Sequence, residues 1–270
     1  MRVPFVKMYG LGNDFIVLDA RVNAVPALTT RFAAALADRH TGIGCDQLLV
    51  LEPSQSADFR MRIFNHDGGE VEACGNGTRA VALLHGKPAR IETLGGELLS
   101  EPSESGAAVD MGTPRFEWQQ IPLGYAMDTH SLPIAWETLE NPTAVNVGNP
   151  HVVFFVTDCE DVELDRLGPE IEHDALFPER VNVNVATVEN RALIRLRVWE
   201  RGVGETLACG TGACATAIGA MRRGLVERAV TVRLSGGDLR IEWTADGRIR
   251  MTGPAAESFR GSFESADYGA

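Results

Sequence analysis

The chain is poor in lysine: Lys7 and Lys87 are the only two in 270 residues. Neither has the flanking residues of a pyridoxal-phosphate lysine, and neither completes a glycine-rich phosphate loop. Cations are outnumbered overall, with 25 Lys and Arg against 37 Asp and Glu, for a formal net charge of −12. Affinity for a nucleic-acid backbone comes mainly from clustered cations, so this balance excludes a nucleic-acid partner. The run Met221-Arg222-Arg223 reads as a solvated helix end. No stretch approaches the roughly 18 consecutive apolar residues of a membrane span. The opening Met1-Arg2-Val3-Pro4-Phe5 has no apolar leader region and no cleavage-like site. Cysteine is also sparse: five, an odd number, with no Cys-x-x-Cys pair. That argues against a disulfide framework or a metal centre, and reduced thiols in the cytoplasm are the expectation.

What remains is an ordinary globular composition, 44% hydrophobic and 23% charged. A chain of this length buries roughly three quarters of its unfolded surface and needs no covalent or metal staple. Disorder, collagen-like structure and coiled coil are excluded for the chain as a whole.

The sequence is written twice, at an offset of 135 residues, half of 270. Arg60-Met61-Arg62-Ile63-Phe64-Asn65 falls on Arg195-Leu196-Arg197-Val198-Trp199-Glu200. Gly69-Glu70 falls on Gly204-Glu205, and Ala73-Cys74-Gly75-Asn76-Gly77 falls on Ala208-Cys209-Gly210-Thr211-Gly212. Gln47 meets Asn182 at the same offset, and Gly12-Asn13 meets Gly148-Asn149 at 136. A period this long is a duplicated domain, not a solenoid unit.

Each half carries the same coarse pattern. Strands are expected at Val3–Met8, Phe15–Asp19, Leu48–Leu51, Met61–Phe64, Ile91–Thr93 and Ala107–Met111. In the second half they are expected at Val152–Val156, Leu193–Trp199, Val230–Leu234, Leu239–Trp243 and Ile249–Thr252. Helices are expected at Thr30–Arg39, after a threonine cap, over the apolar segment Ala80–Leu84, and at Ala213–Arg222. The fold class is therefore α+β, with two pseudo-symmetric domains, each a curved barrel-like sheet around one central helix. The domains are expected over residues 1–114 and 115–255, with the tail of about 256–270 packing on the first. The link falls near Pro114–Pro122, and Tyr125–Thr143 reads as a connection with room for a short helix.

In each half the best helix follows a Cys-Gly-x-Gly turn. A thiol there sits at the positive end of the helix dipole, beside outward-pointing backbone N–H groups that suit an anion. Such a position lowers a cysteine pKa from about 8.5 to roughly 3.5–7.5. Cys45, Cys159 and Cys214 read as buried and inert, whereas Cys74 and Cys209 share a duplicated turn and so share one task. A metal site lacks the spacing, and a redox pair gives the glycine-rich turns no role. Proton chemistry at a carbon centre uses both features. Inverting a stereocentre takes a proton from one face and returns one to the other, and two halves related by a pseudo-two-fold would present two thiols to a cleft in that way. The helix N-termini would then stabilise a carboxylate as the α-proton leaves. Gly10-Leu11-Gly12-Asn13-Asp14-Phe15 lacks the third glycine of a dinucleotide fingerprint, so no cofactor is expected.

These residues resemble the diaminopimelate epimerase family of two-cysteine, pyridoxal-phosphate-independent amino-acid epimerases and racemases. The resemblance spans nearly the whole chain. It is carried by Gly10–Phe15, Gly42-Ile43-Gly44-Cys45-Asp46-Gln47, Asn65–Arg79, Gly148-Asn149-Pro150-His151, Phe177–Asn182 and Glu200–Gly212. One departure is Gly69, where the family usually has serine. The resemblance implies interconversion of LL- and meso-diaminopimelate in lysine and peptidoglycan synthesis, no cofactor, a cytoplasmic homodimer, and Cys74 and Cys209 as the base/acid pair. It implies that Gly75, Asn76, Gly210 and Thr211 hold the reacting carboxylate, and that Asn13, Gln47, Asn65, Asn149, Asn182, Glu200 and Arg201 line the site. His151 and Glu200 fall where the family places groups that tune the thiols. Arg201 suits a distal carboxylate and Glu200 an ammonium group. Asn13 and Asn149 also fit turn positions, His151 a satisfied core histidine, and Arg201 a surface ion-pair partner. The alternatives are a proline, hydroxyproline or histidine epimerase of the same fold, and a non-catalytic thiol sensor.

Overall fold

A computed structural model describes residues 1–72, 74–104 and 106–269. Ala73, which opens the first copy of the cysteine match, lies outside the described residues, as do Ser105 and Ala270. The chain forms two compact units, one of Met1–Val109 with the C-terminal segment from Thr252, the other of Asp110–Met251.

In the first unit the strand Arg2–Gly10 pairs antiparallel with Asn13–Asp19 on one side and with the C-terminal strand Ala256–Glu264 on the other. The hairpin turns through Leu11 and Gly12, with φ of 53° and 84°, the left-handed backbone that a tight two-residue turn demands. Helix α1 (Thr30–Ala37) carries the chain over to Gln47–Glu52, parallel to Asn13–Asp19. Its first turn is capped by Thr29, whose hydroxyl accepts the Phe32 N–H at 3.1 Å. Gln47–Glu52 pairs antiparallel with Phe59–Asn65, which carries the short strand Glu70–Val71. Helix α2 (Gly75–His85) then crosses to Ala89–Thr93, parallel to Phe59–Asn65 and antiparallel to Gly96–Ser103.

Alternation along these strands builds two cores. Ile16, Leu18, Leu48 and Val50 pack with Phe32 and Leu36 of α1. Phe15, Val17, Leu49 and Leu51 pack on the opposite side with Ala80 and Val81 of α2. A sheet covered on both faces reads as a continuous apolar run, as Phe15-Ile16-Val17-Leu18 does. Helix α2 packs against the strands of its unit, and Asn76 to Ala82 are buried without a break.

The second unit repeats this succession. Thr143–Asn146 forms a hairpin with Pro150–Phe155, and helix α3 (Leu164–Glu172) leads to the parallel strand Asn182–Asn190. Leu193–Glu200 follows antiparallel and carries Gly204–Thr206, and helix α4 (Gly210–Arg222) crosses to Ala229–Leu234. Gly237–Trp243 pairs next, and Ile249–Gly253 straddles the boundary of the unit. Gly212 to Ala220 in α4 are all buried, and all but Ile218 are small side chains that let the strands of the unit approach closely.

Two local expectations give way. Tyr125–Thr143 contains no helix; Ala135–Trp136 and Leu139–Glu140 form a small hairpin instead. Pro133 and Pro142 break any helical run, and Trp136 anchors the hairpin by stacking on Phe177, with ring centroids 6.2 Å apart. Helix α3 was not expected, because Gly168-Pro169 interrupts its pattern. Leu164, Leu167 and Ile171 nevertheless hold one buried face. Gly168 is required there, since a Cβ would lie 2.5 Å from the Trp199 ring.

Candidate active site

Cys74 is the N-cap of α2. Its Sγ accepts the Gly77 N–H at 3.2 Å, and its carbonyl accepts the Thr78 hydroxyl at 2.8 Å. Cys74 is half-buried, and the turn is tight: a Cβ on Gly77 would stand 3.1 Å from a Leu49 methyl. The donors at the start of a helix point outward past such a cap, where they suit an anion. Beneath the turn runs a chain of directed hydrogen bonds. Arg79 Nη2 donates to Asn76 Oδ1 at 2.8 Å, Asn76 Nδ2 to Asn13 Oδ1 at 2.6 Å, and Asn13 Nδ2 to Asp46 Oδ2 at 3.2 Å. Asp46 and Asp14 brace each other, each carboxylate accepting the other's backbone N–H at 3.0 Å. Lys7 Nζ lies 2.6 Å from Asp14, and Arg39 bridges Asp14 and Asp46. Burial opposes the charge on Asp14, yet the Arg39 and Lys7 donors hold its carboxyl well below the usual carboxylate range. Gln47 and Asn65 face each other on adjacent strands, with Gln47 Nε2 donating to Asn65 Oδ1 at 3.0 Å.

Cys209 is the N-cap of α4 in the same geometry, its Sγ accepting the Gly212 N–H at 3.3 Å. This thiol is only 4% exposed. A second chain of hydrogen bonds ends on it. Asn184 Nδ2 donates to His151 Nδ1 at 3.1 Å, which leaves the ring proton on Nε2 to be donated to Asn149 Oδ1 at 2.9 Å. Asn149 Nδ2 donates to Thr211 Oγ1 at 3.3 Å, and the Thr211 hydroxyl meets Cys209 Sγ at 3.4 Å. From Asn184 through His151 to Asn149 the donors thus point toward the cysteine turn, the reverse of the first unit, where donation runs from Arg79 away from it. His151 is fully buried, and burial pushes its imidazole down to about 3, so the ring is neutral. Glu200, whose Oε1 accepts the Thr206 hydroxyl at 2.5 Å, faces the thiol. Burial first, and then the Glu200 charge, push the Cys209 thiol well above its ordinary value, outweighing the Thr211 and Gly212 donors.

Asn182 serves the backbone, donating to the Pro150 carbonyl at 2.8 Å and accepting the Arg201 N–H at 3.0 Å. Arg201 is exposed, with Nη1 on the Glu179 carbonyl at 2.9 Å. The structure therefore joins Cys74, Gly75, Asn76 and Asn13 in one cluster, and Cys209, Gly210, Thr211, Asn149, His151 and Glu200 in another. Gln47 with Asn65, and Asn182 with Arg201, form separate pairs beside them. Cys45 is buried, with burial raising its thiol to about 12, and Cys159 and Cys214 are buried as well. Among the described residues no three His, Cys, Asp or Glu side chains gather as a metal site. No helix among them is long and apolar enough to cross a membrane.

Sequence reasoning missed Arg79, Asp46 and Asn184. Asn184 had a signal: Val181-Asn182-Val183-Asn184-Val185 puts two amides on one face of an otherwise apolar strand. Arg79 had a weaker one, a lone cation five residues into a helix otherwise made of small and apolar side chains.

The sequence model of the family described as diaminopimelate epimerase matches residues 5–117 and again 143–257. A diaminopimelate epimerase from Erythrobacter litoralis is 67% identical over 268 residues, covering 99% of this chain and 100% of its own. One from Rhizorhabdus wittichii is 60% identical over 270 residues, covering 100% and 98%. The crystal structure of a probable proline racemase from Agrobacterium radiobacter, 13% identical, has the same fold, with a TM-score of 0.67 over 97% of this chain and 93% of that one. With two family matches spanning most of its length and relatives of this identity over full length, the chain belongs to the diaminopimelate epimerase family.

Proposed function

We propose that the protein is an isomerase that interconverts LL- and meso-diaminopimelate by two-base 1,1-proton transfer, with Cys74 and Cys209 as the acid/base pair. The observation that carries this reading is the matched cap geometry: two cysteines, each at the start of a buried helix, each with its sulfur on the amide three residues on.

An amino-acid α-proton is weakly acidic, so its removal needs a thiolate and a place for the electron pair. In one direction the Cys74 thiolate takes the proton, breaking the C–H bond and forming S–H. The electron pair moves into the adjacent carboxylate. Backbone N–H groups at Gly75-Asn76 and Gly210-Thr211, with the helix dipoles behind them, lower the energy of that charge. The Cys209 thiol then gives its proton to the opposite face, leaving inverted carbon and a thiolate. In the reverse direction the roles exchange. Burial and Glu200 favour the thiol form of Cys209, which suits it to be the resting acid. Asn13, Gln47, Asn65, Asn149 and Asn182 offer neutral donors and acceptors to the substrate, and Arg201 a fork for its distal carboxylate. From the family resemblance alone, we assign a homodimer acting in the cytoplasm, and sedimentation of the purified protein tests the dimer.

Proton NMR in D2O with LL-diaminopimelate and no added cofactor tests the reaction. Loss of the α-proton signal with growth of the meso isomer is the expected result. Exchange on proline or histidine alone would keep the chemistry and overturn the substrate. Exchange on none of them, from folded and reduced protein, would overturn the reading.

A further inference from the structure

Asn184 is fully buried on the strand Asn182–Asn190, directly under the cap that Cys209 forms: a Cβ on Gly212 would stand 2.8 Å from its Oδ1. That oxygen meets no donor among the described residues. A buried amide with an unpaired acceptor costs stability, and the duplicated unit shows that the fold does without one. The position aligned with Asn184 is Leu49, and the one aligned with His151 is Phe15, both fully buried. The first unit thus builds the same parallel strand pair from two apolar side chains, with Leu49 against Gly77 as Asn184 is against Gly212. Packing alone therefore does not call for the polar pair.

The backbone fixes which way the Asn184 amide points. Its Nδ2 lies 2.9 Å from the Val152 carbonyl and 3.4 Å from the Asn182 carbonyl, groups that only accept, so the nitrogen and not the oxygen stands there. The same nitrogen is 3.1 Å from His151 Nδ1. An amide nitrogen accepts no hydrogen bond, so a proton on Nδ1 would point at a donor, and the ring proton is held on Nε2. There it is donated to Asn149 Oδ1, which turns Asn149 Nδ2 toward Thr211 Oγ1. Because Thr211 Oγ1 accepts that bond, its own proton stays free for Cys209 Sγ, 3.4 Å away. In the other tautomer Nε2 accepts, the Asn149 amide turns over, and its Oδ1 takes the Thr211 proton away from the sulfur.

We propose that Asn184 is a positioning residue that sets the His151 tautomer and thereby keeps the Thr211 hydroxyl proton available to the Cys209 thiolate. The donation matters whenever that sulfur is charged, at the start of one reaction direction and at the end of the other.

The inference rests on Cys209 being a reacting thiol, and its first readout does not depend on turnover. Long-range proton–nitrogen NMR of histidine-labelled protein tells a protonated ring nitrogen from an unprotonated one, and His151→Gln identifies the His151 signals among the six histidines. The wild type should show Nε2 protonated and Nδ1 not. Asn184→Asp places an acceptor where the amide nitrogen stands and should move the proton to Nδ1. Asn184→Leu, the side chain that the other copy carries, should leave the two nitrogens with intermediate, averaged signals. In both variants kcat with diaminopimelate should fall by about 10- to 100-fold, the worth of one hydrogen bond to a charged group. A wild-type ring protonated on Nδ1 overturns the proposal even if neither variant folds. So do wild-type signals retained in either folded variant, and so does a moved proton with kcat unchanged. A proton that follows the side chain at position 184, in a protein that turns over no diaminopimelate, sustains the tautomer assignment and sinks the functional reading. Turnover with a tautomer indifferent to that side chain does the opposite.

Discussion

Replacing His151 by glutamine separates its hydrogen bonds from its titration. Glutamine can accept from Asn184 and donate to Asn149 as the neutral imidazole does, but it takes up no proton. The folded imidazole is held down to about 3 by burial, against 6.5 for an unperturbed ring. Between those values the unfolded chain binds a proton that the folded chain does not. Stability from this group is thus fully present above about 6.5 and is lost as pH falls toward 3, by at most about 1.4 kcal/mol per pH unit. Integrated from pH 7 to pH 5, the loss is about 2 kcal/mol. The advantage of wild type over His151→Gln should shrink by that amount across the interval. Urea unfolding followed by tryptophan fluorescence is a suitable assay, because Trp118, Trp136, Trp199 and Trp243 all lie in the unit that holds His151. Parallel stability curves for the two proteins would refute the reasoning, as would an NMR signal of the His151 ring titrating near 6.5.

Alanine at Cys74 or at Cys209 should lower epimerisation by about 10²–10⁴-fold or more while leaving the unfolding midpoint near wild type; either variant with full activity removes its thiol from the mechanism. Glu200→Gln takes a negative charge away from Cys209, so the thiol pKa should fall. A difference titration of thiolate absorbance in a Cys74→Ser background measures it, and an unchanged or higher midpoint contradicts the assigned cause. Gly168→Ala places a methyl 2.5 Å from the Trp199 ring and should cost about 1–3 kcal/mol of stability by overpacking. Equal urea midpoints for that variant and wild type would show that Trp199 has room to move.

Much of the fold was legible because its strands are covered on both faces. Phe15–Asp19 and Leu48–Leu51 announce themselves as apolar runs, and the duplication lets each half check the other. The tail strand Ala256–Glu264 was harder to see, since residues 256 to 260 are half or fully exposed and no alternation marks them. Helix α3 was hidden by Gly168-Pro169, which local propensity penalises and which the buried face of Leu164, Leu167 and Ile171 overrides. The cysteine turns were legible from spacing alone, because a Cys-Gly-x-Gly cap leaves a local signature. Their supporting shells were not: Asn184 and Arg79 reach the turns through three-dimensional packing that no short motif encodes.

The residues that differ between the copies explain why one turn became two chemical environments. Phe15 and Leu49 sit in the apolar cluster against which Cys74 packs, and their counterparts in the duplication are His151 and Asn184, the start of the relay to Cys209. Arg79 is matched by Cys214, and Asn65 by Glu200. What the copies share, the Cys-Gly-x-Gly cap, the crossover helix and the asparagines at 13 and 149, fixes where a thiol and an anion site stand. What they do not share decides charge and the direction of hydrogen-bond donation. In the proposed reaction one sulfur starts as thiolate and the other as thiol, and the unlike surroundings of the two turns bear on how that one proton is shared. The duplication supplies matched cap geometry, and the residues that differ beside each sulfur supply two unlike surroundings for it.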